Sequence, residues 1–205
     1  MIAAALAAGV RLLCGIVPQW HCDRNARAQR IYFANHSSHL DFVVIWSALP
    51  PAARARTRPV AGRDYWHHTR LRRYLAGGLF RAVLIERDPV HSDPAAAASA
   101  AVQQMADVMG RDESLILFPE GTRSTTGEIG PFKSGLFHLS RLRPDAELVP
   151  VHLENLNRIL PKGEALPVPM ICRVIFGPPL RCVREDKAAF LATARAALLD
   201  LRGDA

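Results

Sequence analysis

The chain alternates between short, largely apolar runs and longer stretches with helical spacing of apolar residues. Residues 31–34 (Ile-Tyr-Phe-Ala), Ala82 to Glu86, Ser114 to Phe118, Leu148 to Leu153 and Ile171 to Phe176 have strand length and are bounded by turn or polar residues, the pattern of buried strands. Val60-Ala61 is a further short candidate. Between them the sequence predicts helices. One runs from about 39 to 49, capped by Ser37 or Ser38 and stopped by Pro50-Pro51. Another covers 64–77 and ends at Gly77-Gly78. A third is opened by Asp93 as cap with Pro94 at its first position and runs to about Met109. Two more cover Ser134 to just before Pro144, and roughly 185–202. Strands alternating with helices predict a single α/β layered domain.

Two stretches stand outside that alternation. Residues 1–18 are Ala- and Leu-rich and read as a helix ended by Pro18. A basic n-region is missing, so the pattern is not that of a signal peptide. The apolar run is shorter than the roughly 20 residues of a spanning helix and carries Arg11. Three placements stay open: an interfacial anchor, a helix packed on the domain, or a span. The expectation is an anchor, with Ile2, Leu6, Val10, Leu13 and Val17 in lipid and Arg11 snorkelling to the headgroups. Residues 1–18 are therefore set apart as an anchoring helix from a domain over 19–205. Asn155 to Pro169, with three prolines, reads as an irregular surface or membrane-facing loop.

Charge sharpens the picture. The chain of 205 residues carries a formal net charge of +7. Nine arginines (54, 56, 58, 63, 70, 72, 73, 81 and 87) against Asp64 and Glu86 already give nine minus two, or +7, so the rest is formally neutral. A localised basic segment predicts an anionic partner: a membrane surface or an acidic carrier protein. Tyr65, Trp66 and Tyr74 interleave with the arginines, but no nucleic-acid-binding motif accompanies them, and no nucleic acid is expected. Cys14, Cys22, Cys172 and Cys182 form no C-x-x-C pair and have no zinc-site spacing. They read as reduced thiols, which points to a cytoplasmic setting.

Candidate chemistry lies just after two of the strands. Asn35-His36-Ser37-Ser38-His39-Leu40-Asp41 places His36 at a strand end and Asp41 near the start of the next helix. A carboxylate turning back onto one imidazole nitrogen would fix the tautomer and leave the other nitrogen to take a proton from a substrate hydroxyl. His39 competes for the role. Phe118-Pro119-Glu120-Gly121-Thr122-Arg123-Ser124 is a turn in which a glycine lets the backbone approach a ligand. Its N–H groups, Thr122 and Arg123 are suited to bind phosphate. Arg87 is a second strand-end cation. Neither a G-x-S-x-G elbow nor an S-x-x-K motif occurs, so a histidine base without a marked nucleophile favours direct attack by an acceptor hydroxyl.

Taken together these blocks resemble the glycerolipid acyltransferase family, whose best-known members are the 1-acyl-sn-glycerol-3-phosphate acyltransferases. The histidine and aspartate with four residues between them look like its first block. Val83-Leu84-Ile85-Glu86-Arg87 is similar to the second, with Glu86 where Asp is commoner. Phe118 to Ser124, followed by Phe132-Lys133-Ser134-Gly135, looks like the third, and Val149-Pro150-Val151 the fourth. The blocks stand in family order over roughly 30–155. The resemblance implies a central mixed β-sheet flanked by helices. It makes His36 the general base and Asp41 its partner, with Arg87, Glu120, Gly121, Thr122, Arg123 and Ser124 around the acceptor's glycerol phosphate. It also implies acyl-CoA or acyl-carrier protein as donor, no metal or other cofactor, and a seat on the membrane.

The resulting expectation is acylation of the sn-2 hydroxyl of lysophosphatidate to phosphatidate, a step of phospholipid biosynthesis, at the cytoplasmic face of the cell membrane. The alternatives are another lyso-lipid acceptor, or a non-catalytic basic scaffold on the membrane.

Overall fold

The computed structural model describes the chain except residues 1, 39, 67–68, 87–92, 155–170, 182–185 and 204–205, and for residues 64, 65, 71 and 72 it describes the backbone alone. His39, Arg87, Cys182 and the loop from Asn155 to Pro169 lie outside the described residues.

Seven strands form one mixed sheet: β1 (Ile16–Trp20), β2 (Arg30–Ala34), β3 (Thr57–Gly62), β4 (Val83–Ile85), β5 (Ser114–Leu117), β6 (Glu147–Leu153) and β7 (Cys172–Phe176), in the order β1-β7-β6-β2-β5-β3-β4. Every neighbouring pair is parallel except β6 and β7. The continuous apolar runs become central strands because both faces are covered. On one face Tyr32, Ala34, Ile116, Val149 and Val174 pack under α1 (Ile2–Leu13) and α2 (Asp41–Ala48). On the other, Ile31, Phe33, Leu115 and Leu148 pack under α6 (Pro94–Met109), α7 (Gly135–Leu142) and α8 (Lys187–Gly203).

Most predicted elements are present within a few residues of their expected bounds. Asp93 caps α6, its side chain accepting from the Ala95 N–H at 3.0 Å, with Pro94 at the first helical position. Three differences have clear causes. Pro18 does not end a helix. Gly15, at φ 51°, ends α1, and Pro18 lies within β1. β1 is an edge strand, where the missing proline N–H is tolerated. Pro50-Pro51 does stop α2, but Pro51 also opens a short helix, α3 (Pro51–Ala55). Gly77-Gly78 does not end the 64–77 helix. That stretch divides into α4 (Arg63–Trp66) and α5 (Arg70–Tyr74), and a π-helical turn over Leu75–Leu79 carries it on. In that turn the Phe80 N–H donates to the Leu75 carbonyl, five residues back, at 2.9 Å.

The N-terminal helix is also placed differently from the expectation. Among the described residues no helix is long and apolar enough to cross a membrane. Leu6 and Val10, expected in lipid, pack against the core. Arg11 does not snorkel outward. Its Nε donates to the Ser47 carbonyl at 2.6 Å and its Nη2 to Ala48 and Leu49 at 3.2 Å, capping the carbonyl end of α2. The outward-facing large apolar residues of α1 are Ile2, Leu12 and Leu13.

The basic segment, expected to face an anionic partner, does not turn all its described arginines outward. Arg58 and Arg81 both pair with the buried Glu113. Arg56 donates to the carbonyls of Ala26, Arg27 and Ala28. Arg54 is buried against Trp46. Arg63 reaches Glu86 at 3.5 Å, while Arg70 and Arg73 are exposed.

Candidate active site

β2 and β5 are neighbours, with Phe33 opposite Leu117, so the loops leaving their carboxyl ends meet. In open α/β sheets this is where ligands bind. Two blocks of sequence that stand far apart along the chain thereby form one site.

His36 and Asp41 are brought together directly. His36 Nδ1 lies 2.7 Å from Asp41 Oδ2, and the same oxygen accepts the backbone N–H groups of Ser37 at 2.7 Å and Ser38 at 2.9 Å. An oxygen that already accepts two N–H bonds cannot donate, so Nδ1 carries the hydrogen and Nε2 is left with its lone pair. Asp41 is the first residue of α2. Its carboxylate folds back over the preceding turn, and Ser38, one of the two expected caps, accepts the Leu40 N–H on its Oγ at 3.3 Å just ahead of the helix. Asp41 is fully buried, and its Oδ1 has no hydrogen-bond partner among the described residues. Burial pushes its carboxyl up, while the His36 ring and the two backbone N–H groups act to lower it. The His36 ring stacks on Phe118, centroids 4.3 Å apart and planes 19° apart, which fixes the second rotational degree of freedom of the imidazole.

The backbone of His36 is clamped from the second loop. Its N–H donates to Glu120 Oε1 at 2.9 Å, and its carbonyl accepts the Ser124 N–H at 2.7 Å. The other Glu120 oxygen accepts the Gly130 N–H at 2.9 Å, and Arg195 of α8 donates to the Ile129 and Gly130 carbonyls. Glu120, expected among the acceptor's ligands, therefore has both carboxylate oxygens on backbone N–H groups. Gly121 is in the left-handed region at φ 74°, and the Lys133 side chain lies where a Cβ would project, 2.8 Å away. Thr122 is exposed, and Arg123 and Ser124 are half-buried. The Arg123 guanidinium donates to no protein oxygen among the described residues. Arg87 is not described, but β4, which precedes it, runs parallel to β3 and ends at the same edge of the sheet.

Three contributors carried no assigned role in the sequence. The Asn35 amide donates to the Leu153 carbonyl at 3.0 Å and accepts its N–H at 2.8 Å, extending the β2–β6 pairing one step to the site. Phe118 supplies the stacking face. Lys133 adds an exposed cation beside the Gly121 turn. An asparagine directly after a buried strand, and a lysine soon after a glycine turn, are the signals that could have pointed to the first and last. Among the described residues, no group of three or more His, Cys, Asp or Glu is placed to hold a metal ion.

The family model described as Acyltransferase matches residues 19–154. The chain belongs to the acyltransferase family. Two relatives put names beside it. A 1-acyl-sn-glycerol-3-phosphate acyltransferase of Limnanthes alba is 30% identical over 176 residues, covering 82% of this chain and 56% of the relative. The human 1-acyl-sn-glycerol-3-phosphate acyltransferase alpha is 30% identical over 152 residues, covering 73% of this chain and 49% of the relative. This member of the family thus spans about half the length of the curated relatives it matches. In fold it is similar to the crystal structure of the 1-acyl-sn-glycerophosphate (LPA) acyltransferase PlsC from Thermotoga maritima. The TM-score is 0.70 and the identity 15%, with 97% of this chain and 76% of that one covered. The mixed seven-stranded sheet of this acyltransferase is the fold of that protein.

Proposed function

We propose that this acyltransferase moves a fatty acyl group from acyl-CoA or acyl-carrier protein to the sn-2 hydroxyl of lysophosphatidate, giving phosphatidate. The observation that carries the reading is the hydrogen bond from His36 Nδ1 to the buried Asp41, in a chain of this family. His36 Nε2 takes the proton of the acceptor hydroxyl as its oxygen attacks the thioester carbonyl. The tetrahedral intermediate collapses, the C–S bond breaks, and the departing thiolate takes the proton back from the imidazolium. Asp41 stabilises that imidazolium while it exists, and its unpartnered Oδ1 makes a neighbouring positive charge all the more favourable. No residue need become acylated, and no cofactor enters the reaction.

Arg123, Lys133, Thr122 and Arg87 are the groups suited to the acceptor's phosphate, with Gly121 allowing close backbone approach. Glu120 acts on His36, not on the substrate: an anion beside a phosphate would repel it. The outward Ile2, Leu12 and Leu13 of α1, with Arg70 and Arg73, are suited to hold the enzyme on the cytoplasmic face of an anionic membrane. A membrane scaffold without chemistry has no use for the dyad.

The test is an acylation assay of the purified protein with a panel of lysolipids and both thioester donors. Lysophosphatidate should be the preferred acceptor, and His36→Ala should lower the rate on the order of 10²–10⁴-fold. Near-normal turnover by a folded His36→Ala protein removes the mechanism. Preference for another lysolipid moves the acceptor and leaves the mechanism standing.

A further inference from the structure

A cavity of about 320 Å³ lies at the other end of the sheet from the dyad. Its wall includes Thr57, the first residue of β3, paired with Ser114 at the start of β5. Trp46, near the end of α2, forms another part. α2 begins at the dyad and runs eight residues away from it, or roughly 12 Å at 1.5 Å per residue. The cavity is therefore separate from the site of acyl transfer. Its volume is at the small end of the range for ligand pockets.

Three irregular features converge on it. Leu79 belongs to the π-helical turn, a feature found often at functional sites. Arg81 has φ 51°, a conformation L-residues avoid, and holds the wall by donating to the Ala55 carbonyl and pairing with Glu113. Arg54 is the third. Only 9% of it is exposed, and its guanidinium lies 5.3 Å from the Trp46 ring centroid. Among the described residues its side chain donates to no oxygen and pairs with no carboxylate. Burial, and the Arg11 charge beside it, push its pKa down from the usual value. A guanidinium with one face on an indole keeps its in-plane N–H fork for an oxyanion. That fork opens to the solvent of the cavity, where an anion would pair with it.

The remaining wall decides what carries the anion. Ala3, Ala4, Pro51, Leu79 and Phe80 offer nothing but apolar surface. Arg81 is paired with Glu113, and Arg11 donates to the carbonyl end of α2, so among the described residues of this wall Arg54 is the cation whose N–H groups have no protein acceptor. We propose that this cavity binds a fatty carboxylate, its oxygens taken by the in-plane N–H groups of Arg54 and its alkyl chain lying on Leu79, Phe80 and the Ala3–Ala4 face of α1. Such a ligand bridges α1 to α2 and α3 and gives the fold a second lipid site, apart from the reacting one.

The experiment titrates the full chain calorimetrically with decanoate, with decanol and with inorganic phosphate. It uses wild type, Arg54→Gln, Ala4→Phe and His36→Ala, each checked for folding by its thermal melt. Ala4 is exposed on α1, so Ala4→Phe fills the mouth of the cavity without touching the arginine. Decanoate should bind wild type and His36→Ala alike. It should bind Arg54→Gln about tenfold or more weakly, as expected for loss of a charged hydrogen bond, and Ala4→Phe weakly as well. Should Arg54→Gln not fold, Ala4→Phe decides. Decanoate binding unchanged in Ala4→Phe, or lost in His36→Ala, overturns the proposal. So does decanol binding as tightly as decanoate, or phosphate alone doing so.

Discussion

The Glu120 carboxylate accepts the backbone N–H of His36 at 2.9 Å while its second oxygen accepts that of Gly130 at 2.9 Å. One side chain thus fixes the peptide that carries the imidazole and closes the loop that returns from β5. Glutamine has a single acceptor oxygen, and its amide N–H₂ would face one of these donors. Glu120→Gln should therefore lower kcat with little change in the KM for lysolipid, and cost about 1–3 kcal/mol of stability. Steady-state kinetics beside a urea melt checks it. A rise confined to the lysolipid KM would return Glu120 to the substrate site.

Asp41→Asn should separate activity from stability. The neutral amide cannot stabilise an imidazolium, so the rate should fall by two orders of magnitude or more, roughly as in other His–Asp pairs. The melting temperature should hold or rise, because a fully buried charge is removed while the amide oxygen can still accept the Ser37 and Ser38 N–H groups. Loss of rate together with a collapse of the melt would mean that the carboxylate is needed chiefly for folding.

Gly121→Ala meets two obstacles: the left-handed backbone costs about 1–2 kcal/mol for an L-residue, and the new methyl would sit 2.8 Å from the Lys133 side chain. Displacing Lys133 should raise the KM for lysophosphatidate more than that for the thioester. Equal rises for both would place Lys133 outside the acceptor site.

The buried His152 should make the protein acid-sensitive. Burial first, and the Arg202 charge second, hold its pKa down at about 4, against 6.5 in the unfolded chain. Between those values the unfolded state binds the extra proton, so stability rises with pH. The contribution is complete above about 6.5 and is lost as pH falls towards 4, on the order of 3 kcal/mol in all. Melts of His152→Leu between pH 7 and 4 should show a smaller fall than wild type. Parallel curves would locate the acid response elsewhere.

Membrane binding should follow the arginines that face outward. Arg70→Glu with Arg73→Glu should weaken co-sedimentation with anionic vesicles at low salt and hardly change it on neutral ones, at about 1 kcal/mol per residue near the surface. Arg56→Glu and Arg58→Glu should lower the melting temperature instead, because those side chains hold the 26–28 carbonyls and Glu113. Unchanged binding by the Arg70/Arg73 variant would leave the apolar residues of α1 as the anchor.

The difference between those two pairs of arginines shows where the sequence runs out. Linear clustering shows that charge is local but not which way each side chain turns, since Glu113 and the 26–28 carbonyls arrive from remote segments. The dyad was legible because His36 and Asp41 are five residues apart and need only one turn to meet. β2 and β5 were legible because strands covered on both faces are apolar throughout. β1 was not: a proline in an apolar run reads as a helix stop, and only the paired edge of β7 makes it a strand. Glu120 could be placed at the site but not given its partners, because the N–H of Gly130 reaches it through a loop whose path depends on Arg195.

β6 lies between β7 and β2, although it is made after five of the other strands. A growing chain that has not yet reached residue 147 holds β2 paired on one side only, with the peptide groups of Arg30–Ala34 open along the other. That bare edge is a template for pairing with other chains. Synthesis halted in α7 would thus release a fragment that carries both His36 and the Glu120 turn and yet is prone to aggregate, and the last seven residues to enter the centre of the sheet act as its protection.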